Sequence, residues 1–486
     1  MRIPIHEQLK IGETDIGSIK IDTRSRDEIP KVLLGLQHIY CTPELNQKVF
    51  STLNDLIPNG TDISNGRPGM ELWKIFVLGS LRMNCNWDYD RLKENADNHK
   101  TLRQMLGHGF DDENITYPLQ TLKDNISLFT PDILNRINQI VVEAGHELVK
   151  GKKDLVLNGR CDSFVVKTNV HYPTDTNLLF DAMKKIITLI AILCSKSGLT
   201  GWRQKWQLIR KVKRLYRNIS KLKHSTSKDV EKKEEQIKKI KKACRKYLKY
   251  SESLLLRTRD SMNQLRELED IDLKAIQNIE YFITHAERQI DQVRRRIILG
   301  ETIPHAEKVF SIFEPHTEWI CKGKAGISQE LGLPVCIIED QYGFILNHRV
   351  MQHEKDVDIA VSFTRDTKDK FPNPYRCSYD KGFHSLSNQI ELRTIIDDVI
   401  LPKKGRCNAK EHEREHSANF LKHRRKHSAV ESAINALGNH SLDRCPDHGI
   451  EGFERYISFA VMARNLQTLG NIIQQRERRR EKRSAA

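Results

Sequence analysis

Apolar side chains take up a helical beat at residue 68. In "PGMELWKIFVLGSLRMN" (68–84), Leu72, Ile75, Phe76, Leu78 and Leu81 recur three or four apart, one face of a 3.6-residue repeat. The next stretch, "DYDRLKENADNHKTLRQMLGHG", opens on acids and stops at Gly107, as helix ends do. A further helix is expected at 131–149, whereas residues 1–60 mix strand-like and loop-like pieces without a clear period. Residues 1–150 are therefore expected to be mainly helical.

The texture then changes. "KDLVLNGRCDSFVV" has strand character and runs into the turn-like "HYPTD". No proline separates Pro173 from Pro304, and the span is rich in Lys, Arg, Glu, Leu, Ile and Gln, which predicts long helices. A basic arm (203–249) followed by 254–298 predicts a helical hairpin. After Pro304, "KVFSIFEP", "EWICKGK", "PVCIIED" and "GFILNHRVM" read as short strands, "DVDIAVSFTRDTKDKF" as a helix, and "NPYRCSYDKGF" as a strand ending at Asp380 and Gly382. Residues 408–437 lack Pro and Gly and predict one helix, closed by Gly438 and Asn439. The fold class is α/β: a core begun at 151–180, interrupted by a helical insertion at 181–303 and resumed at 304–450, with a helical domain at 1–150 and a C-terminal helix and basic tail at 451–486.

Charge adds a partner. The 486-residue chain, 38% apolar, is long enough for several cores, and 80 basic against 64 acidic residues (pI near 9.3) make a polyanion the first partner to consider. Residues 201–250 hold 19 Lys or Arg against four acids, a local +15, and the last eleven residues hold six against two, so the rest is nearly neutral. The ten cysteines are scattered without a CxxC, and the N-terminus has no charged-then-apolar leader, which predicts a reduced, cytosolic protein. The longest apolar run, "IITLIAILC" (186–194), is nine residues, well short of the roughly 20 a bilayer needs, so no membrane partner is expected.

Three acids stand out. Asp162 sits between "LVLNGR" and Val165–Val166, where a half-buried strand should be apolar; Asp380 ends the last strand; Glu431 lies on "RKHSAVESAINAL". Strand ends and a packed helix can converge at one edge of a mixed sheet. Carboxylates gathered there suit hard divalent cations, and two such ions can drive in-line phosphoryl displacement. Arg424, His427, Glu431 and Asn435 fall along one helical stripe, which suits a metal beside a phosphate backbone. On the basic arm, Lys238, Lys239, Lys241 and Lys242 are candidate DNA contacts, with a dimerisation hairpin as the rival reading. Cys407, His412, His416, His423, His427, Cys445 and His448 raise a rival zinc site, although no CxxC accompanies them. His384 is expected to pack beneath a strand end, His171, Tyr172 and Asp175 to shape a turn, and Trp202 and Trp206 to form a buried stripe rather than stack on bases.

"CDSFVVKTNVHYPTDTNLL", "CSYDKGFHS" and "RKHSAVESAINALGNHSLDRC" resemble the three catalytic blocks of DDE transposases from bacterial insertion sequences, and "GMELWKIFVLGSLRMNCNWDYDRL" resembles their helical N-terminal domain. The resemblance implies an RNase H-like mixed-sheet core in which Asp162, Asp380 and Glu431 bind two Mg2+ or Mn2+ ions. It implies an enzyme that cleaves double-stranded DNA at terminal inverted repeats and joins the 3′-hydroxyl ends to target DNA, as a homodimer on DNA in the bacterial cytoplasm and nucleoid. Related transposases carry Tyr and Arg seven and four residues before the Glu and Lys seven after; here those positions hold Arg424, His427 and Gly438, leaving Arg424, Arg425 and Lys426 as the substitutes. A nuclease that hydrolyses without joining, and a non-catalytic DNA-binding protein, are the alternatives.

Overall fold

The computed structural model describes the chain except residues 1, 6–8, 10–11, 58–59, 61–68, 151–155, 225–228, 269–271, 322–328, 374 and 485–486. Pro68, the expected strand start at 153–155, the end of "EWICKGK" at 322–324 and Pro374 fall outside the described residues. In chain order the elements are α1 (Glu28–Cys41), α2 (Pro43–Asn54), α3 (Leu72–Asn84), α4 (Tyr89–Asn98), α5 (Lys100–Met105), α6 (Leu119–Ile126), α7 (Pro131–Lys150), β1 (Leu157–Thr168), α8 (Asp175–Lys196), α9 (Lys205–Lys223), α10 (Val230–Arg266) and α11 (Leu273–Val293). There follow β2 (Glu318–Cys321), β3 (Gln329–Glu339), β4 (Ile345–Val350), α12 (Asp356–Lys370), β5 (Tyr375–Tyr379), α13 (Leu386–Ile395), β6 (Asp398–Ile400), α14 (Ala409–His416), α15 (Ala418–His427), α16 (Ala429–Leu437), β7 (Arg444–Cys445) and α17 (Gly449–Ser484). None of the helices is long and apolar enough to cross a membrane, among the described residues.

The chain folds into two compact units, residues 1–169 with 320–486, and residues 170–319. The divisions expected at 150 and 450 both fall inside the first unit, because α1, α3 and α7 pack against α17 and one hydrophobic cluster runs from Ile16 to Leu469. α1 and α2 correct the aperiodic reading of residues 1–60. Asp27 caps α1 by accepting the Ile29 N–H at 2.8 Å, and Pro43 starts α2 where its missing N–H costs nothing. α1 meets α17 glycine to glycine: a Cβ at Gly35 would lie 2.5 Å from the Leu466 carbonyl oxygen, and one at Gly470 would lie 1.7 Å from that of Lys31.

The first unit is built on a mixed seven-stranded sheet. β3 runs antiparallel to β1, and β4 antiparallel to β3. On the other side β5 runs parallel to β1 and β6 parallel to β5, while short β7 pairs with the far end of β1. The sheet order β2–β3–β1–β5–β6, with β4 also pairing β3, leaves β1 central. Buried Asn465 of α17 ties the β4 edge down: its side chain accepts from Ile345 N–H at 2.9 Å and donates to the Ile345 carbonyl at 2.8 Å.

The second unit is helical, α8–α11 around their own apolar cluster. Thr174 and Asn177 cap the start of α8 reciprocally. The hairpin turn expected near residue 250 is absent. Buried Tyr247, Leu248, Ser251, Leu254, Leu255 and Thr258 keep the helical beat across that point, so α10 runs unbroken for 37 residues. The break falls earlier, where Asp229 caps α10 by accepting the Glu231 N–H. The tryptophan stripe also divides: Trp202 is buried and donates to Ser261 at 2.9 Å, whereas Trp206 is 62% exposed.

Candidate active site

β1 and β5 pair in parallel through Asn158 with Arg376, Arg160 with Ser378, and Cys161 with Tyr379. The next residues are Asp162 and Asp380. Side chains alternate across a strand, and parallel neighbours in register share a face. Asn158, Arg160 and Asp162 therefore line one face of β1, beside Arg376, Ser378 and Asp380 on β5. Along β1, burial switches phase at Asp162 and Ser163, both half-buried, so the carboxylate stands where this face passes from open to covered. α15 lies over β5 and β6, and α16, which carries Glu431, lies over β1.

The acids sense one another. Asp162 Oδ1 accepts the Ser163 N–H at 2.8 Å, which favours its charged form. Burial outweighs that bond, and the charges of Asp380, Asp356 and Glu431 add to it, raising the carboxyl from 3.8 to about 6. Asp380 and Glu431 are exposed. Asp356, the first residue of α12, is a fourth acid of this group that sequence reasoning missed, because an acid in a first helical turn reads as routine dipole compensation. Burial raises its pKa, the Ser163 hydroxyl hydrogen bond lowers it, and Asp380 raises it again. Gly382 makes room for it: a Cβ there would lie 3.0 Å from Asp356 Oδ2.

Among the described residues no three His, Cys, Asp or Glu side chains stand close enough to form a ready metal cage. The donors are nevertheless hard oxygens, and Asp162 is pushed toward its protonated form by burial and by surrounding negative charge. A divalent cation brought among these carboxylates would offset their mutual repulsion.

The single helix expected over 408–437 is three. Ser417 takes an extended backbone and caps α15, and Ser428 interrupts the run again between α15 and α16. Nor does Gly438 stop the last of them: its backbone stays helical, and the left-handed residue is Ser441, held by its hydroxyl bond to the Met83 carbonyl at 2.7 Å. The Arg424–His427–Glu431–Asn435 stripe thus crosses the Ser428 break. Arg424, Glu431 and Asn435 are exposed. His427 turns inward, with Nδ1 3.0 Å from Ser378 Oγ; burial lowers its pKa, the charges of Asp380 and Glu431 raise it, and Arg160 lowers it.

Arg425 and Lys426, with His423, line a 600 Å3 cavity next to the acids. The zinc residues do not gather: Cys407 is exposed, Cys445 buried, the His412 and His416 rings stack on each other, and His423 bonds Arg376 at 2.9 Å. His384 is half-buried beside Phe383. In the second unit, His171 bonds Asp181 at 2.6 Å and Asp175 pairs with Arg296 at 2.9 Å, so both brace the turn before α8 and its neighbours.

On α10, Lys238 and Lys242 are exposed, Lys241 is half-buried and Lys239 pairs with Glu235 at 2.7 Å. The purer basic surface is α9, which carries eight Lys or Arg and no acid. Its Arg210, Lys213, Arg214, Arg217 and Lys221 are all exposed and form one row. Comparison of the chain with family models, with characterised proteins and with solved structures finds no match.

Proposed function

We propose that the first unit is an RNase H-like core carrying out metal-dependent phosphoryl transfer on DNA, and that the protein is a DDE-type transposase. The observation that carries this is that Asp162 and Asp380 each follow the last paired couple, Cys161 and Tyr379, of adjacent parallel strands, with Glu431 on the helix that covers β1. The sheet order β2–β3–β1–β5–β6, with β3 antiparallel to β1 on one side and β5 and β6 parallel on the other, supports this reading.

Asp162, Asp380 and Glu431 would hold Mg2+ or Mn2+, which supplies activation of the attacking oxygen and charge neutralisation at the departing 3′-oxygen. The chain's own part is positioning. Arg424, Arg425 and Lys426 grip phosphates, Asn435 extends the row, and the Ser378–His427 bond holds α15 against β5. The +15 stretch of the insertion neutralises further backbone, and two protomers together would hold two element ends.

The test is cleavage of a labelled duplex bearing the terminal inverted repeat that flanks the coding sequence, with Mn2+ or Mg2+, by the intact protein and by Glu431→Gln. The expected result is cutting by the intact protein alone, with 3′ ends joined to a plasmid. Cutting without joining would make it a nuclease; equal cutting by both proteins would remove Glu431 from the site.

A further inference from the structure

The ladder that ends in Asp162 and Asp380 also runs the other way. One step back, Arg160 faces Ser378; two steps back, Asn158 faces Arg376. Each two-residue step advances about 6.6 Å. Over these two steps, and on the same face, lies the 600 Å3 cavity, walled by Arg160, Arg376, Ser378, Arg425, Lys426 and Ser432. No Asp or Glu is among its lining residues.

The cations there are set in place beforehand. Arg160 is held by Glu339 at 2.8 Å, and Arg376 by Asp398 at 2.7 Å and His423 at 2.9 Å, so both guanidinium groups are already fixed in the cavity wall and lose little further entropy on meeting a ligand. Arg425 and Lys426 are exposed in the last turn of α15 and close the opposite wall. His427 bonds Ser378 of the cavity wall at 3.0 Å. An acid cluster and an acid-free basic cavity are thus consecutive steps of one surface. A metal-loaded cluster would take one phosphate, and the cavity suits the next.

We propose that this cavity seats the phosphodiester adjoining the scissile one, so that a single DNA strand lies along the β1–β5 ladder. The choice of scissile phosphate rests on the phosphoryl-transfer reading. The ligand chemistry, a strand of linked phosphates rather than a free anion, rests on the cavity and on its continuity with the acid step.

The test uses the full-length protein in EDTA, so that nothing is cut, and a fluorescent single strand of about eight nucleotides, a length within reach of one such groove. Ser432 is exposed, so Ser432→Trp fills the cavity without touching the core. That variant, and the double variant Arg425→Gln/Lys426→Gln, should each bind about tenfold more weakly, the scale of removing one or two charge-assisted hydrogen bonds. Unchanged affinity in both cavity variants would overturn the proposal, and so would inorganic phosphate competing as well as the strand. If Ser432→Trp cuts the element end at the parent rate, the seat is wrong and the transposase reading survives. If the parent binds the strand through this cavity but cuts nothing with Mn2+, the seat stands and that reading falls.

Discussion

Asp162 of β1 and Asp380, just past the end of β5, each follow the last paired couple of these parallel strands, Cys161 and Tyr379, and each carboxylate feels the other's charge. Two carboxylates so placed repel, and half-burial of Asp162 keeps water from screening them fully. In EDTA at pH 8, Asp162→Asn should therefore melt higher than the parent, by about 2–4 °C if roughly 1 kcal/mol of repulsion is relieved. Mn2+ should raise the melting temperature of the parent and leave the variant unmoved. Differential scanning fluorimetry checks both, and a parent indifferent to Mn2+ would count against the metal.

Acid stability should depend on His348 of β4. Its Nε2 lies 3.0 Å from Ser458 Oγ, its Nδ1 is buried without a partner, and burial, followed by the charge of Lys370, lowers its pKa to about 3. The folded protein keeps this ring neutral, whereas the unfolded chain protonates it below about 6.5. Its contribution is therefore intact above pH 6.5 and lost progressively as pH falls toward 3, by up to about 1.4 kcal/mol per pH unit. Urea unfolding at pH 7.5 and 5.5 should show a steeper loss for the parent than for His348→Gln.

Charge reversal should separate the two basic helices. Reversing Arg210, Arg214 and Arg217 on α9 is expected to weaken duplex binding more than reversing Lys238, Lys239, Lys241 and Lys242 on α10, where Glu231, Glu234 and Glu235 already dilute the charge and Lys239 has a partner. Each phosphate left without its neutralising cation should lower the slope of log affinity against log salt by about 0.9. Equal effects, or none, would return the insertion to a dimerisation role.

The glycine contact of α1 with α17 leaves no room for a methyl group. Gly470→Ala would drive a Cβ toward the Lys31 carbonyl and should cost at least about 1–3 kcal/mol, read as a drop in the denaturation midpoint. Gly438→Ala, with a helical backbone and open space around its Cβ position, should be neutral or slightly stabilising.

Local patterns were legible in the residues alone wherever one physical cause dominated. The apolar period of α3 and α7, the strand character of β1 and β5 and the isolated acid at 162 follow from side-chain spacing and the cost of a half-buried carboxylate. Tertiary packing decided the rest. α1 was hidden because a short apolar run of Val, Leu and Ile does not by its period distinguish strand from helix until α17 packs against it. Serine is common both at helix starts and on exposed helix faces, so neither division was legible: Ser417 caps α15, whereas Ser428 keeps a helical backbone and makes no side-chain cap. Asp356 joined the acids only through the place where α12 begins, and Arg160 and Arg376 line one cavity only because β1 and β5 pair in that register. Sequence spacing sets which side chains share a strand or a helix face. Which strands lie side by side is settled by long-range pairing, and that pairing made neighbours of Asp162 and Asp380.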